Sequence, residues 1–239
     1  MLFTRLVPAV LISLSLFVGN SLAQEAKAKA KAKGKGFKKI FDGKTLEGWR
    51  GRSDLWSVED GAITGTTTDE DPIKQNTFLI WDGTVANFEL RADFRCSVGN
   101  SGIQYRSKVI DKEAYVVGGY QADIDPTMKF AGINYEEKGR GILAQRGTRA
   151  TIDEKNKITS EEIGDKDELA SKIKKKGWNK YRIVAKGRTL SHYINGELMS
   201  EVVDNSDDKF AAEGVIALQV HRGPAMKVQF KNIRVKELK

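Results

Sequence analysis

Residues 87–96 read Asn-Phe-Glu-Leu-Arg-Ala-Asp-Phe-Arg-Cys. Phe88, Leu90, Ala92 and Phe94 fall on one side of an extended chain, and Glu89, Arg91, Asp93 and Arg95 fall on the other. Successive side chains of a strand point to opposite faces, so this period of two predicts a strand with one face in a core and one in water. Working outward, similar runs occur at 77–81, 102–107, 119–125, 142–146, 179–186, 189–194, 214–221 and 226–235. Turn residues separate them: Glu59-Asp60-Gly61, Asp82-Gly83, Gly99-Asn100 and Asn195-Gly196. The last is a two-residue hairpin signal, because Asn and Gly accept the left-handed angles that such a turn needs. The one helical signal is short, from Lys166 to Lys175, where Leu169 and Ile173 fall four apart. Many short strands with so little helix predict an all-β fold, a jelly-roll β-sandwich of antiparallel strands with one short helix.

The charge is unevenly placed. Of 239 residues, 40 are Lys or Arg and 32 are Asp or Glu, a formal charge of +8. Residues 1–39 hold eight of the basic residues and a single acid, Glu25, which leaves 40–239 at +1. A nucleic-acid-binding domain carries its basic surface within the fold, so this distribution argues against nucleic acid as a partner. Hydrophobic residues make up 40% of the chain, with 23 Gly and 4 Pro, which excludes an intrinsically disordered chain. About 200 residues after the basic segment suffice for one sizeable core.

The amino terminus reads as an export signal over 1–23: Arg5, an apolar run from Leu6 to Val18, then Ser21-Leu22-Ala23 as small residues at a cleavage position. The apolar run is shorter than the roughly 20 residues of a spanning helix. The expectation is a periplasmic or secreted protein with no membrane span once the signal is cleaved. Residues 24–39 form a Lys/Ala/Gly-rich segment without an apolar face, which reads as a flexible arm able to touch anionic envelope surfaces. The folded domain is then 40–239. Cys96, the one cysteine, has no partner for an internal disulfide and reads as a small hydrophobe at a strand end.

Much familiar catalytic machinery is missing from the sequence. It has no Gly-rich phosphate loop, no CxxC pair, no His-x-x-x-His helix and no Gly-x-Ser-x-Gly elbow, and its only histidines are His192 and His221. Three strands instead present amides with charged groups. Gln104 and Arg106 alternate with Ile103 and Tyr105; Gln121, Asp123 and Asp125 with Tyr120, Ala122 and Ile124; Gln219 and His221 with Leu218 and Val220. Planar donors and acceptors on one concave face suit a sugar. The bland alternative is the solvated outer face of an antiparallel sheet. Trp49, Trp56, Trp81 and Trp178 adjoin apolar strands or Gly turns and read as packing residues.

These motifs bring a family into view. From IFDGKTLEGW (40–49) through WSVEDGAITG (56–65), FLIWDG (78–83), NFELRADFR (87–95), GNSGIQYRS (99–107), GYQADID (119–125), GRGILAQRG (139–147), GWNKYRIVAKG (177–187), HYINGELM (192–199) and IALQVHRGPAMKVQFKNIRVKEL (216–238), the chain resembles the 3-keto-disaccharide hydrolase family. The resemblance implies a concanavalin-like jelly roll and action on sugars oxidised at carbon 3, as a lyase or hydratase whose net result is hydrolysis. A ketone at carbon 3 acidifies the carbon 2 proton, so the reaction needs a base, a donor to the enolate oxygen and an acid for the leaving group. His221 is the expected base; Asp123 orients it, binds a metal ion or is itself the base; Arg106 or Arg146 stabilises the enolate. Gln104, Gln121, Gln219, Arg146 and Asn100 are the expected substrate-binding residues. No organic cofactor is needed, because the ketone is the electron sink, and a divalent metal, if used, would fall to Asp123 and Asp125. Retaining glucanases of similar architecture carry a Glu-x-Asp-x-(x)-Glu strand. Here the comparable strand reads Gln121-Ala122-Asp123-Ile124-Asp125, and the amide in first place argues against ordinary double displacement. A carbohydrate-binding module with a lectin-like sandwich, or a partner-binding sandwich, are the other readings. Deleting residues 24–36 is expected to leave the melting temperature unchanged within error; a large drop in a thermal melt would show that the arm packs on the domain.

Overall fold

The computed structural model describes residues 36–239. The expected signal over 1–23 and most of the arm lie outside the described residues. In chain order, β1 (Lys38–Lys39), β2 (Trp49–Arg50), β3 (Trp56–Glu59) and β4 (Ala62–Thr67) precede the long strands β5 (Thr77–Val85), β6 (Phe88–Val98), β7 (Ser101–Asp111) and β8 (Val116–Ile124). Four short strands follow, β9 (Asn134–Glu137), β10 (Gly141–Ala144), β11 (Thr148–Ile152) and β12 (Ile158–Glu162), then the helix α1 (Lys166–Ser171). The chain finishes with β13 (Asn179–Lys186), β14 (Thr189–Ile194), β15 (Glu197–Asp204), β16 (Gly214–Val220) and β17 (Met226–Glu237).

Two sheets form the sandwich. The ten-stranded sheet runs β12-β11-β15-β14-β13-β6-β17-β4-β3, with β1 added beside β17, and the seven-stranded sheet runs β10-β9-β8-β7-β16-β5-β2. Within the ten-stranded sheet β17 lies between β6 and β4. Every pairing is antiparallel except β11 with β15. This is the expected jelly-roll β-sandwich. The alternation in β6 holds: Phe88, Leu90, Ala92 and Phe94 are buried in the core, facing Ile103, Tyr105, Leu218 and Val220 from the second sheet. Asn195 and Gly196 both take positive φ, at 55° and 98°, and join β14 to β15 as the two-residue turn.

Polar bonds also cross the core. The Tyr120 hydroxyl donates to Asp204 Oδ2 at 2.5 Å, and Arg140 Nη2 donates to the same oxygen at 2.7 Å. Burial opposes charge on Asp204, but the donors Arg140 and Tyr120 outweigh it and hold the carboxyl below the usual range. His192 Nδ1 donates to the Ile133 carbonyl at 3.2 Å, which leaves Nε2 to accept from the Tyr105 hydroxyl at 2.8 Å. Burial pushes this imidazole down to about 3, against the Ile133 hydrogen bond, so His192 is a neutral packing residue. Burial likewise pushes the Cys96 thiol up to about 12 and leaves it inert.

Three expectations need correction. The helix ends at Ser171, not Lys175, after Asp165 caps it by accepting from the backbone of Asp167 and Glu168. The domain begins before Ile40: Lys38 and Lys39 pair with Val235 and Arg234, which satisfies backbone groups of β17, and Phe37 lies against the guanidinium groups of Arg91 and Arg234. Strict alternation also fails in β7. Tyr105 pairs with Tyr120 and Lys108 with Gly118, so Arg106 and Ser107 together oppose Gly119. This bulge, with Arg106 at φ 47°, bends the β7–β8 hairpin over the outer face of its own sheet. The hairpin tip reaches β5, where Phe78 N donates to the Tyr115 carbonyl at 3.0 Å. Val117 packs there with Phe78, Ile80 and Ala217 in a second, smaller apolar cluster.

Gly119 makes the bulge possible. It sits at φ 140°, and a Cβ there would lie 2.6 Å from Ser107 Oγ and 2.8 Å from Ser107 Cα. Gly119→Ala is expected to destabilise the domain by about 2–4 kcal/mol, combining a strained backbone with a steric clash. Urea unfolding measures this, and a loss below about 0.5 kcal/mol, the range of neutral surface changes, would contradict it.

Candidate active site

The folded-over hairpin closes one end of the outer face of the seven-stranded sheet, and a cavity of about 780 Å³ remains beside it. That size falls within the roughly 300–1,000 Å³ typical of small-molecule pockets. Its floor follows from strand register. Gln104 pairs with Gln121, which pairs on its other side with Tyr135. One rung beyond the Leu218–Ile103 pair, Gln219 faces Gly102, which pairs with Asp123. Gly102 is needed for close approach: a Cβ there would lie 2.5 Å from the Gln121 carboxamide carbon, so glycine lets Gln121 lie across β7.

The floor is a hydrogen-bonded chain. Ser107 Oγ donates to Gln104 Oε1 at 2.6 Å, Gln104 Nε2 to Gln121 Oε1 at 2.9 Å, and Gln121 Nε2 to Asp123 Oδ1 at 3.0 Å. Asp123 is buried and has no cation partner among the described residues. Burial, with the nearby carboxylates of Asp125 and Glu137, holds its carboxyl well above the usual range against hydrogen bonds from Gln121 and Asn100. Gln219, fully buried on the same floor, has no partner for either its amide oxygen or its amide nitrogen. A buried polar atom left unpaired costs about 1–3 kcal/mol, and this amide keeps both a donor and an acceptor at the cavity.

His221 lies at the rim, half-buried, just after β16. Its Nδ1 approaches the Arg222 carbonyl at 2.5 Å. A carbonyl only accepts, so Nδ1 is the donor in this contact, and Nε2 is the ring nitrogen not engaged by it.

Of the expected site residues, Asn100, Gln121, Asp123, Asp125, Gln219 and His221 line the cavity, and Gln104 stands behind Gln121. Arg106 does not line it. The bulge turns its side chain away from Gln104, and the guanidinium binds the carbonyls of Ala86 (2.7 Å) and Gly187 (2.8 Å) and Asn87 Oδ1 (3.1 Å). Arg146 also stands outside, donating to the carbonyls of Met128, Ala131 and Lys166 at 2.7–2.8 Å. It steadies the loop that brings Thr127 and Phe130 to the cavity wall. Asp125 braces the same loop: its oxygens accept from Thr127 N (2.7 Å), Thr127 Oγ1 (2.8 Å) and Phe130 N (2.9 Å). The oxygens of Asp125 are thus engaged by loop donors, and among the described residues no three His, Cys, Asp or Glu side chains are grouped to hold a metal ion. Sequence reading missed Asn76, Phe130, Tyr135, Glu137 and Ile142, which complete the walls. The signal available for β9 was alternation across Tyr135 and Glu137 between Gly132 and Gly139, hidden because adjacent glutamates resemble a solvated turn.

Known proteins agree with this architecture. Residues 36–236 match the sequence profile of the family described as 3-keto-alpha-glucoside-1,2-lyase-like domain. A protein named 3-keto-disaccharide hydrolase from Bacteroides thetaiotaomicron is 37% identical over 83 residues, which span 31% of this chain and 29% of that relative. The alignment thus covers less than a third of the relative's length. Among solved structures, a candidate glycosyl hydrolase from Parabacteroides distasonis superposes with a TM-score of 0.57 at 19% identity, covering 85% of this chain and 100% of that one. The carbohydrate-binding module CBM66 from Bacillus subtilis superposes with a TM-score of 0.52 at 16% identity, covering 80% and 96%. These likenesses establish a shared fold, and the profile match across nearly all of the described residues assigns the chain to the 3-keto-alpha-glucoside-1,2-lyase-like domain family.

Proposed function

We propose that this domain cleaves 3-keto-glycosides by elimination followed by hydration, in a protein exported to the periplasm or beyond. The observation that carries the reading is the unpartnered Gln219 amide on the same floor as the buried Asp123 carboxyl, which burial holds well above its usual range. His221 Nε2 removes the carbon 2 proton, and the electron pair of that bond passes into the enolate of the carbon 3 ketone. Gln219 Nε2 donates to the enolate oxygen, the role expected of Arg106 or Arg146, which are committed elsewhere. The carbon 1–oxygen bond then breaks, and the departing oxygen takes the proton from Asp123 Oδ2, leaving an enone. Water adds at carbon 1 and gives its proton to the Asp123 carboxylate, while carbon 2 regains a proton from His221. Net hydrolysis results, with both residues back in their starting states. Gln121 and Asn100 hold hydroxyls.

Purified protein is expected to release product from a 3-keto-disaccharide and none from the parent disaccharide; equal cleavage of both would sink the elimination route. Saccharide binding without product would favour a binding module. His221→Ala is expected to lower kcat about 10²–10⁴-fold with a nearly unchanged melting curve. A fully active or an unfolded variant would each remove His221 from this role.

Asp123 makes a prediction for stability as well. Its carboxyl lies above the ordinary value of 3.8 in the folded state, so the unfolded chain releases this proton more readily. Stability is therefore lost as pH rises from about 4 toward the folded-state value. Asp123→Asn lacks that titration. Its melting temperature relative to the native protein is expected to gain a few degrees between pH 4 and pH 8, while turnover falls. A difference that is flat or falls with pH would contradict an acid-form Asp123.

A further inference from the structure

We propose that Asn76 is a positioning residue of this pocket: its side-chain amide ties the segment carrying His221 to the Glu137 carboxylate and so fixes the imidazole. The inference rests on the assignment of His221 as proton acceptor.

The last pair between β5 and β16 is Thr77 with Val220, so Asn76 and His221 occupy the next positions across the sheet, where the ladder has ended. Beyond that point His221 N meets only the Met226 sulfur at 3.1 Å, a weak acceptor. The far end of the 221–225 loop is anchored by Ala225 N to Asp69 Oδ1 at 2.9 Å and by Met226 N to Thr67 Oγ1 at 3.1 Å. The near end is anchored by Asn76 Oδ1, which accepts from Arg222 N at 3.0 Å. Arg222 is also the residue whose carbonyl holds His221 Nδ1. The Arg222 N–H lies in the peptide unit directly after His221 and its carbonyl in the next one, so anchoring the first restricts where the second points and, through it, the orientation of the imidazole.

The opposite end of the amide reaches across the cavity. Asn76 Nδ2 donates to both oxygens of Glu137, at 3.2 and 3.3 Å. Glu137 belongs to β9, which is separated from β5 by β8, β7 and β16, so this bond spans the curved face rather than joining neighbours. Glu137 is buried, makes no ion pair with Lys or Arg among the described residues, and has Asn76 as its side-chain hydrogen-bond donor. The geometry specifies an amide. A carboxylate can only accept and a backbone N–H can only donate, so the residue between them needs one acceptor and one donor. Asparagine satisfies both, whereas aspartate would set carboxylate against carboxylate.

The test uses two readouts on the full domain: nitrogen-15 NMR of the Arg222 amide and the His221 imidazole, which needs no turnover, and kcat with KM on a 3-keto-disaccharide. Asn76→Asp and Asn76→Ala are expected to shift or broaden both signals. They are expected to lower kcat about 10- to 100-fold, the loss typical of a misplaced catalytic group, with KM little changed. The double variant Asn76→Asp/Glu137→Gln restores a donor–acceptor pair with its polarity reversed. It is expected to recover the native signals relative to Asn76→Asp alone; where Glu137→Gln itself abolishes turnover, the recovery is read on the spectra. Unchanged spectra in Asn76→Ala, or a double variant no closer to native than Asn76→Asp, would overturn the proposal. If the spectra behave as expected but no 3-keto-glycoside is turned over, the positioning device stands and the functional reading fails.

Discussion

Two residues of β7 opposite one residue of β8 set the geometry on which the pocket depends. An extra residue in one strand increases the local twist and bends that strand. Here it turns a long hairpin back onto its own sheet, so that part of a face that would otherwise meet water becomes an apolar contact among Phe78, Ile80, Val117 and Ala217. The remaining part of that face becomes the end-walled cavity. The same step drives the Arg106 guanidinium among the carbonyls of Ala86 and Gly187, where it fastens loops that would otherwise carry unpaired acceptors. One backbone irregularity thus shapes the cavity and decides which arginine stays out of it.

The polar floor then follows from what an enclosed face demands. Amides placed in water would be indifferent to orientation, but walled in they must be paired. Ser107, Gln104 and Gln121 form a directed chain that ends on Asp123. Donors and acceptors along it are used one for one, which fixes the orientation of each carboxamide. Gln219 breaks this pattern by having no partner, and Asp123 breaks it by being an acid without a cation. Both departures lie on the floor of the same cavity.

Sequence periodicity revealed those parts of the structure where one face is buried and one is wet. The β6 alternation, the Asn195-Gly196 turn and the strand faces of Gln121, Asp123 and Gln219 were all readable for that reason. It failed where geometry departs from a regular ladder. Arg106 was grouped with Gln104 because a bulge leaves no mark in an alternation count, and only Gly118-Gly119 across the sheet hinted at it. Composition cannot tell a side chain that binds sugar from one that holds loop carbonyls, as Arg146 does, or loop amides, as Asp125 does. Glu137 and Asn76 were missed for a third reason: their contact joins residues 61 positions apart, across three intervening strands, and neither lies in a recognisable run.

The place of β17 carries a consequence for how this chain acquires its fold. Residues 226–237 pair with residues 88–98 on one side and with β4 on the other, so the middle of the larger sheet is assembled from segments far apart in the chain. While the polypeptide is being synthesised, β4 and β6 have no strand between them, and each presents an open edge until residue 237 has emerged. Distant pairings of this kind close slowly, because the intervening loop entropy is lost before the contacts form. Closure of the larger sheet therefore waits on a pairing between segments far apart in the chain, and until it forms the open edges of β4 and β6 are exposed to edge-to-edge association.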